Sequence, residues 1–131
     1  MTDRELVEKA KEAAEKAYAP YSGFTVGAAL LCKSGKVYLG CNIENASYTP
    51  TNCAERTAFF KAVSEGEREF DKIAIVGGKE LDFADYCAPC GVCRQVMSEF
   101  CDESFTVILG KGNGEYKAMS LGELLPYGFK L

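Results

Sequence analysis

The sequence predicts an α/β protein: a three-layer α/β/α sandwich on one mixed five-stranded sheet whose last strand runs antiparallel. Three observations carry that expectation. The chain has 131 residues, which suits a single domain spanning 1–131 with a core that needs no disulfide staples. After an opening helix, its apolar patterns alternate in the order ββαβαββα, without repeat, linker or low-complexity tract. Strands interleaved with helices favour a sheet covered on both faces. The last two strands are joined only by Gly110-Lys111-Gly112-Asn113-Gly114, too short for a parallel crossover.

Each element has its own signal. Thr2 and Glu5 have capping-box spacing, and Leu6, Ala10, Ala13, Ala14 and Ala17 form one apolar stripe before Pro20 closes the segment. Residues 24–32 and 37–44 are strand-like and flank Lys33-Ser34-Gly35-Lys36, the pattern of a hairpin. A helix over 53–65 follows, with Ala54, Ala58 and Ala62 as a small packing face and Gly66 as its stop. Residues 72–77 form a short apolar strand, and 90–100 a helix with Val92, Val96 and Phe100 at helical spacing. Strands over 105–109 and 115–119 come next, and Ser120 with Glu123 caps a last short helix.

Composition narrows the class. Hydrophobic residues at 47% and charged residues at 26% are those of an ordinary globular protein. The opening residues lack a signal-peptide core and no apolar run is long enough for a bilayer, so a cytoplasmic protein is expected. In that compartment seven cysteines read as metal ligands or buried thiols. The net charge of −4, with no Lys/Arg stripe, disfavours a polynucleotide partner.

Two motifs carry the chemistry: Cys53-Ala54-Glu55 and Pro89-Cys90-Gly91-Val92-Cys93. Zinc-dependent base deaminases use this arrangement, a His or Cys opening the first motif and Pro-Cys-x-x-Cys closing the second. The chain contains no His. Cys53, Cys90 and Cys93 would supply three thiolates, leaving the fourth position on zinc open for water. Both motifs fall at helix starts, where free N–H groups and the helix dipole favour thiolate over thiol. Three thiolates give zinc a formal charge of −1, so groups that draw charge off the sulfurs are expected. Arg56 and Arg94, each directly beside a motif residue, are the natural donors; the plainer reading makes both surface residues.

Other readings of the cysteines are a closed four-thiolate zinc site using Cys87, an iron–sulfur cluster opened by Cys87, Cys90 and Cys93, or ordinary buried thiols. The cluster pattern would next want a cysteine at position 97, where the chain has Met97. None of these explains Glu55 two residues after Cys53, or Pro89 before Cys90. In the catalytic reading, hydroxide ionised by the metal attacks the amidine carbon of a base and ammonia leaves. Glu55 is the only carboxylate inside the motifs to carry the protons; otherwise it is a solvated helix acid.

Four blocks in order give the chain a family resemblance. They are Tyr18-Ala19-Pro20-Tyr21-Ser22-Gly23-Phe24-Thr25-Val26-Gly27-Ala28-Ala29, Gly40-Cys41-Asn42-Ile43-Glu44-Asn45-Ala46-Ser47-Tyr48, Cys53-Ala54-Glu55-Arg56-Thr57-Ala58, and Pro89-Cys90-Gly91-Val92-Cys93-Arg94-Gln95-Val96. Together they resemble the small, homotetrameric, three-cysteine cytidine deaminases. The resemblance implies one zinc per subunit on Cys53, Cys90 and Cys93, with Glu55 as proton carrier. Phe24 would pack on the pyrimidine, Asn42 and Glu44 would bind the ribose 3′-hydroxyl, and the Ala54 backbone would help read the base. Neighbouring subunits would contribute Tyr48 and Phe129. The implied reaction converts cytidine and 2′-deoxycytidine to uridine and 2′-deoxyuridine, in pyrimidine salvage. Phe24 also fits plain core, and Asn42 and Glu44 an ordinary half-exposed strand.

The nearest rival enzyme is a blasticidin S deaminase, which shares both zinc motifs. Deaminases of nucleotides or nucleic acids generally open with His, and Glu44 is a poor neighbour for a phosphate. From another class, a noncatalytic metal or cluster protein would rest on Cys87 as a fourth ligand.

Overall fold

The computed structural model describes residues 1–131. In chain order its elements are α1 (Asp3–Ala14), β1 (Phe24–Cys32), β2 (Val37–Cys41), α2 (Ala54–Ser64), β3 (Phe70–Lys79), α3 (Gly91–Phe100), β4 (Thr106–Gly110), β5 (Tyr116–Ser120) and α4 (Leu121–Leu124). The five strands form one sheet in the order β2-β1-β3-β4-β5. Only β3 and β4 pair in parallel, and α3 lies in the crossover between them. The other three pairings are antiparallel, including β4 with β5 as expected.

Alternation along the strands divides the interior into two cores. Ala28 and Leu30 of β1, Ile73 and Ile75 of β3, and Val107 and Leu109 of β4 face α2, α3 and α4. Ala29, Leu31, Ala74, Val76 and Ile108 face Leu6, Val7, Ala10 and Ala14 of α1. Strands covered on both sides need apolar residues at odd and even positions alike, which is why β1, β3 and β4 read as continuous apolar runs. The three-layer sandwich follows.

Close approach of α2 to the sheet edge fixes the site's position. A Cβ on Gly40 of β2 would lie 2.2 Å from the Ala54 carbonyl oxygen and 2.6 Å from the Ala58 nitrogen. Only glycine on the strand and alanines on the helix let the two backbones meet so closely. The N-terminus of α2, with Cys53 as its N-cap, is therefore held against the sheet through backbone atoms.

Strand β3, expected over 72–77, runs two residues further at each end, and two other boundaries differ from the sequence expectation for one shared physical reason. The apolar stripe of α1 stops at Ala14, so Ala17 falls beyond the helix. The chain turns there because the Tyr18 N–H donates to the Asn42 carbonyl at 2.9 Å, while the Tyr18 carbonyl accepts from Glu44 N–H at 2.8 Å. Strand β2 ends at Cys41 rather than at position 44. Beyond it Ile43 makes isolated bridges to Tyr18 and Asn52. Tertiary hydrogen bonds override local periodicity at both places. Both helix-start expectations built on capping boxes hold: Thr2 with Glu5 on α1, and Ser120 with Glu123 on α4. No helix is long and apolar enough to cross a membrane.

Candidate metal centre

Cys53 and Cys90 are the N-caps of α2 and α3, both with extended backbone and neither using its side chain as a cap. Cys93 stands three residues into α3, where a side chain points back toward the N-cap. The Sγ atoms of Cys53, Cys90 and Cys93 all lie within 4.8 Å of one another, and those of Cys53 and Cys90 are 3.7 Å apart. Tetrahedral zinc with Zn–S bonds of about 2.3 Å holds its sulfurs about 3.8 Å apart. The donor set and its spacing fit that ion. Cys87 is not among the clustered sulfurs, which removes the four-thiolate reading. A Cβ on Gly77 would lie 2.6 Å from the Cys87 sulfur and 3.2 Å from the Phe24 ring, so Cys87 and Phe24 close over one patch of β3. Burial first, then the charges of Glu55, Cys53 and Cys90, push the Cys87 thiol up to about 11. It stays protonated.

The sulfurs are electrostatically unequal. The hydrogen bond from Cys93 is the main cause holding Cys53 down to about 5, with Arg56 and Cys90 adding to it against burial. Cys93 is correspondingly raised, chiefly because it keeps the proton it donates to Cys53. Arg56 Nη2 donates to Cys53 Sγ at 3.2 Å, and Nε of the same guanidinium is buried without a partner. A cation at the third position of α2 thus reaches back to the N-cap sulfur. Glu55 occupies the position between, only 4% exposed. Burial, and then the negative charge at Cys53, push its carboxyl up to about 7 against its own backbone hydrogen bond. A carboxyl that exchanges its proton near neutral pH is suited to carry protons in both directions. Ala54 beside it is fully buried.

A second group of polar side chains forms where β1 and the end of β2 meet. The Asn42 Oδ1 accepts from the Val26 N–H at 2.9 Å, and its Nδ2 donates to the Phe24 carbonyl at 2.8 Å. One N–H of that amide remains free. Glu44 Oε1 accepts from the backbone N–H groups of Tyr21, at 2.9 Å, and Ser22, at 3.2 Å. Its Oε2 accepts from the Ser22 hydroxyl. The Ser22 hydroxyl first, opposed by burial and supported by both N–H groups, holds the Glu44 carboxyl below its ordinary value. The chain thus presents one amide donor and one carboxylate acceptor, two residues apart, near Phe24.

Residues 1–109 match the family model described as the cytidine and deoxycytidylate deaminase zinc-binding region. The chain belongs to this deaminase family. It is 50% identical over 129 residues to a cytidine deaminase of Sporosarcina psychrophila, covering 98% of this chain and 92% of that one. It is 52% identical over 124 residues to a cytidine deaminase of Halalkalibacterium halodurans, covering 95% and 91%. Among solved structures, the cytidine deaminase from Burkholderia pseudomallei superposes with a TM-score of 0.90 at 52% identity, covering 98% of this chain and 100% of that one.

In this deaminase-family chain the structure gathers Cys53, Cys90, Cys93, Glu55 and Arg56 at one point. It also joins Phe24, Asn42 and Glu44 through hydrogen bonds of the β1 end. One expectation is corrected. Arg94 does not donate to a sulfur: its Nε goes to the Pro89 carbonyl and its Nη1 to the Leu124 carbonyl, each at 2.7 Å. The guanidinium sits three residues after Gly91 on α3 and faces the C-terminal segment. Tyr48 is 80% exposed in a left-handed turn with φ of 63°, and Phe129 is 66% exposed. Neither aromatic is covered within its own chain. Ser22, given no role from sequence, proves to hold Glu44; the signal was its place in the first resemblance block.

Proposed function

We propose that this chain is a zinc-dependent cytidine deaminase, hydrolysing cytidine and 2′-deoxycytidine to uridine and 2′-deoxyuridine with release of ammonia. The observation that carries the reading is Glu55, buried beside the three-sulfur cluster with its carboxyl near neutrality. When bound by Cys53, Cys90 and Cys93, zinc supplies the Lewis acidity that ionises water near neutral pH. Glu55 takes one proton from the attacking water and delivers it to ring N3, then takes the remaining proton from the new C4 hydroxyl and delivers it to the amine, so that the C4 carbonyl forms as the C4–N bond breaks. Arg56 offsets the charge of the thiolates through Cys53. Water and cytidine thereby give uridine and ammonia, with Glu55 returned to its starting state.

Phe24 packs against the flat face of the base, and the backbone at Ala54 reads its edge. The free N–H of Asn42 donates to the sugar 3′-hydroxyl while Glu44 accepts its proton, a pairing that selects substrates carrying that group. Each subunit, residues 1–131 acting as one catalytic domain, holds one zinc. The exposed aromatics Tyr48 and Phe129 support a homotetramer in which neighbouring subunits complete each site. A net charge of −4 supports a free nucleoside rather than a nucleic acid as substrate. Pyrimidine salvage in the cytoplasm is the setting that fits this chemistry.

The test is the fall in ultraviolet absorbance as cytidine becomes uridine, beside Glu55→Gln, with zinc assayed in both. Activity in the parent and near-total loss in a zinc-replete variant support the reading. A folded, zinc-loaded parent that leaves cytidine unchanged but consumes blasticidin S would reassign the substrate.

A further inference from the structure

The turn between α1 and β1 makes more contacts with Glu44 than chain connection requires. Two backbone N–H groups and one hydroxyl, all from Tyr21 and Ser22, converge on this one carboxylate. The Ser22 hydroxyl is used at both ends: while donating to Glu44 Oε2, its Oγ accepts from the Phe24 N–H at 3.0 Å. The turn is itself pinned. Gly23 adopts φ of 70°, its N–H donates to the Ala19 carbonyl at 2.9 Å, and its carbonyl accepts from Glu80 N–H at 2.8 Å. Ser22 is thus the link between the carboxylate at the end of β2 and the aromatic residue that opens β1.

We infer that Ser22 is a positioning residue for sugar recognition, its hydroxyl fixing the orientation of Glu44 and the backbone of Phe24 together. The inference rests on the reading of Glu44 as acceptor of the sugar 3′-hydroxyl. A carboxylate has about four lone-pair sites. The turn occupies two on Oε1 and one on Oε2, so the remaining Oε2 site faces one direction only. Without the Ser22 hydroxyl, Oε2 loses its fixed partner and the Phe24 N–H loses its acceptor. Glu44 then meets the ligand hydroxyl in several orientations, weakening a bond made equally in ground and transition state. Such a loss raises KM and leaves kcat alone.

The experiment compares cytidine with 3′-deoxycytidine as substrates for the zinc-loaded parent, Ser22→Ala, Ser22→Cys, Ser22→Thr and Glu44→Gln. Ser22→Ala is expected to raise KM for cytidine about tenfold, the scale of one weakened hydrogen bond to a charged group, with kcat within about twofold. For 3′-deoxycytidine, which feels only the loosened backbone of Phe24 and not the loss at Glu44, KM should rise by no more than about twofold. Ser22→Cys, a weaker donor of similar size, should fall between, and Ser22→Thr should recover most of the lost affinity. Equal KM changes on both substrates, or a fall in kcat alone, would reduce Ser22 to an ordinary turn residue and overturn the proposal. Glu44→Gln separates the two levels. If it weakens both substrates alike, the reading of Glu44 as sugar ligand is what fails. If Glu44→Gln discriminates and Ser22→Ala does not, the Ser22 inference alone is refuted.

Discussion

The Arg94 guanidinium spans from the carbonyl of Pro89, one residue before a clustered cysteine, to the carbonyl of Leu124 at the end of α4, at 2.7 Å each. The neighbouring Gln95 Nε2 donates to the Phe129 carbonyl at 3.2 Å. Two successive side chains of α3 therefore tie the second cysteine motif to the C-terminal segment. Arg94→Ala orphans both carbonyls and is expected to cost about 2 kcal/mol, read by urea unfolding. Limited proteolysis should cut the segment after Leu125 faster in the variant. Arg94→Lys, with a single ammonium in place of a planar fork, should recover less than half of the loss.

Arg56 acts on the sulfur side. Its bond to Cys53 favours the thiolate that a metal needs, and partners of this kind are worth about 10–100-fold in metal affinity. Arg56→Gln is expected to lower zinc affinity by about that factor, measured by competition with a chromophoric chelator.

Gly40→Ala probes the contact that places α2. The added methyl would meet the Ala54 carbonyl at 2.2 Å, so the helix must move away from the strand. Overpacking of this kind costs about 1–3 kcal/mol. Because Cys53 and Glu55 move with the helix, kcat should fall more than KM changes, as steady-state kinetics on cytidine would record.

Acid should release Glu44 from its turn. Donors from Tyr21 and Ser22 favour the carboxylate, and the folded value lies below the ordinary 4.5. The stability gained from this group is present above about 4.5 and is lost as pH falls through the depressed value. Removing the largest contributor in Ser22→Ala should move the Glu44 titration midpoint upward, followed by carboxyl NMR. A midpoint that stays in place would mean that the hydroxyl is no donor to Glu44 in solution.

Elements specified by near neighbours were legible in the sequence. Thr2 with Glu5 and Ser120 with Glu123 announce helix starts because the bonds they make span three residues. The three clustered cysteines and Glu55 were legible because helix-start geometry converts short spacings into convergence. What escaped depends on partners far along the chain. The end of α1 is set by Tyr18 meeting Asn42 and Glu44, and Arg94 takes its direction from Leu124, thirty residues on. No periodicity encodes either encounter. Ser22 sits in a quoted motif, yet its partner Glu44 lies 22 residues away.

Where α2 crosses Gly40, main chain and the single methyl of Ala58 are all that separate helix from strand. The distance of the Glu55 carboxyl from β2 is consequently limited at this end of the helix by the thickness of two backbones. A side chain of any size at position 40 would therefore lift the start of α2, and Cys53 with it, away from the sheet edge.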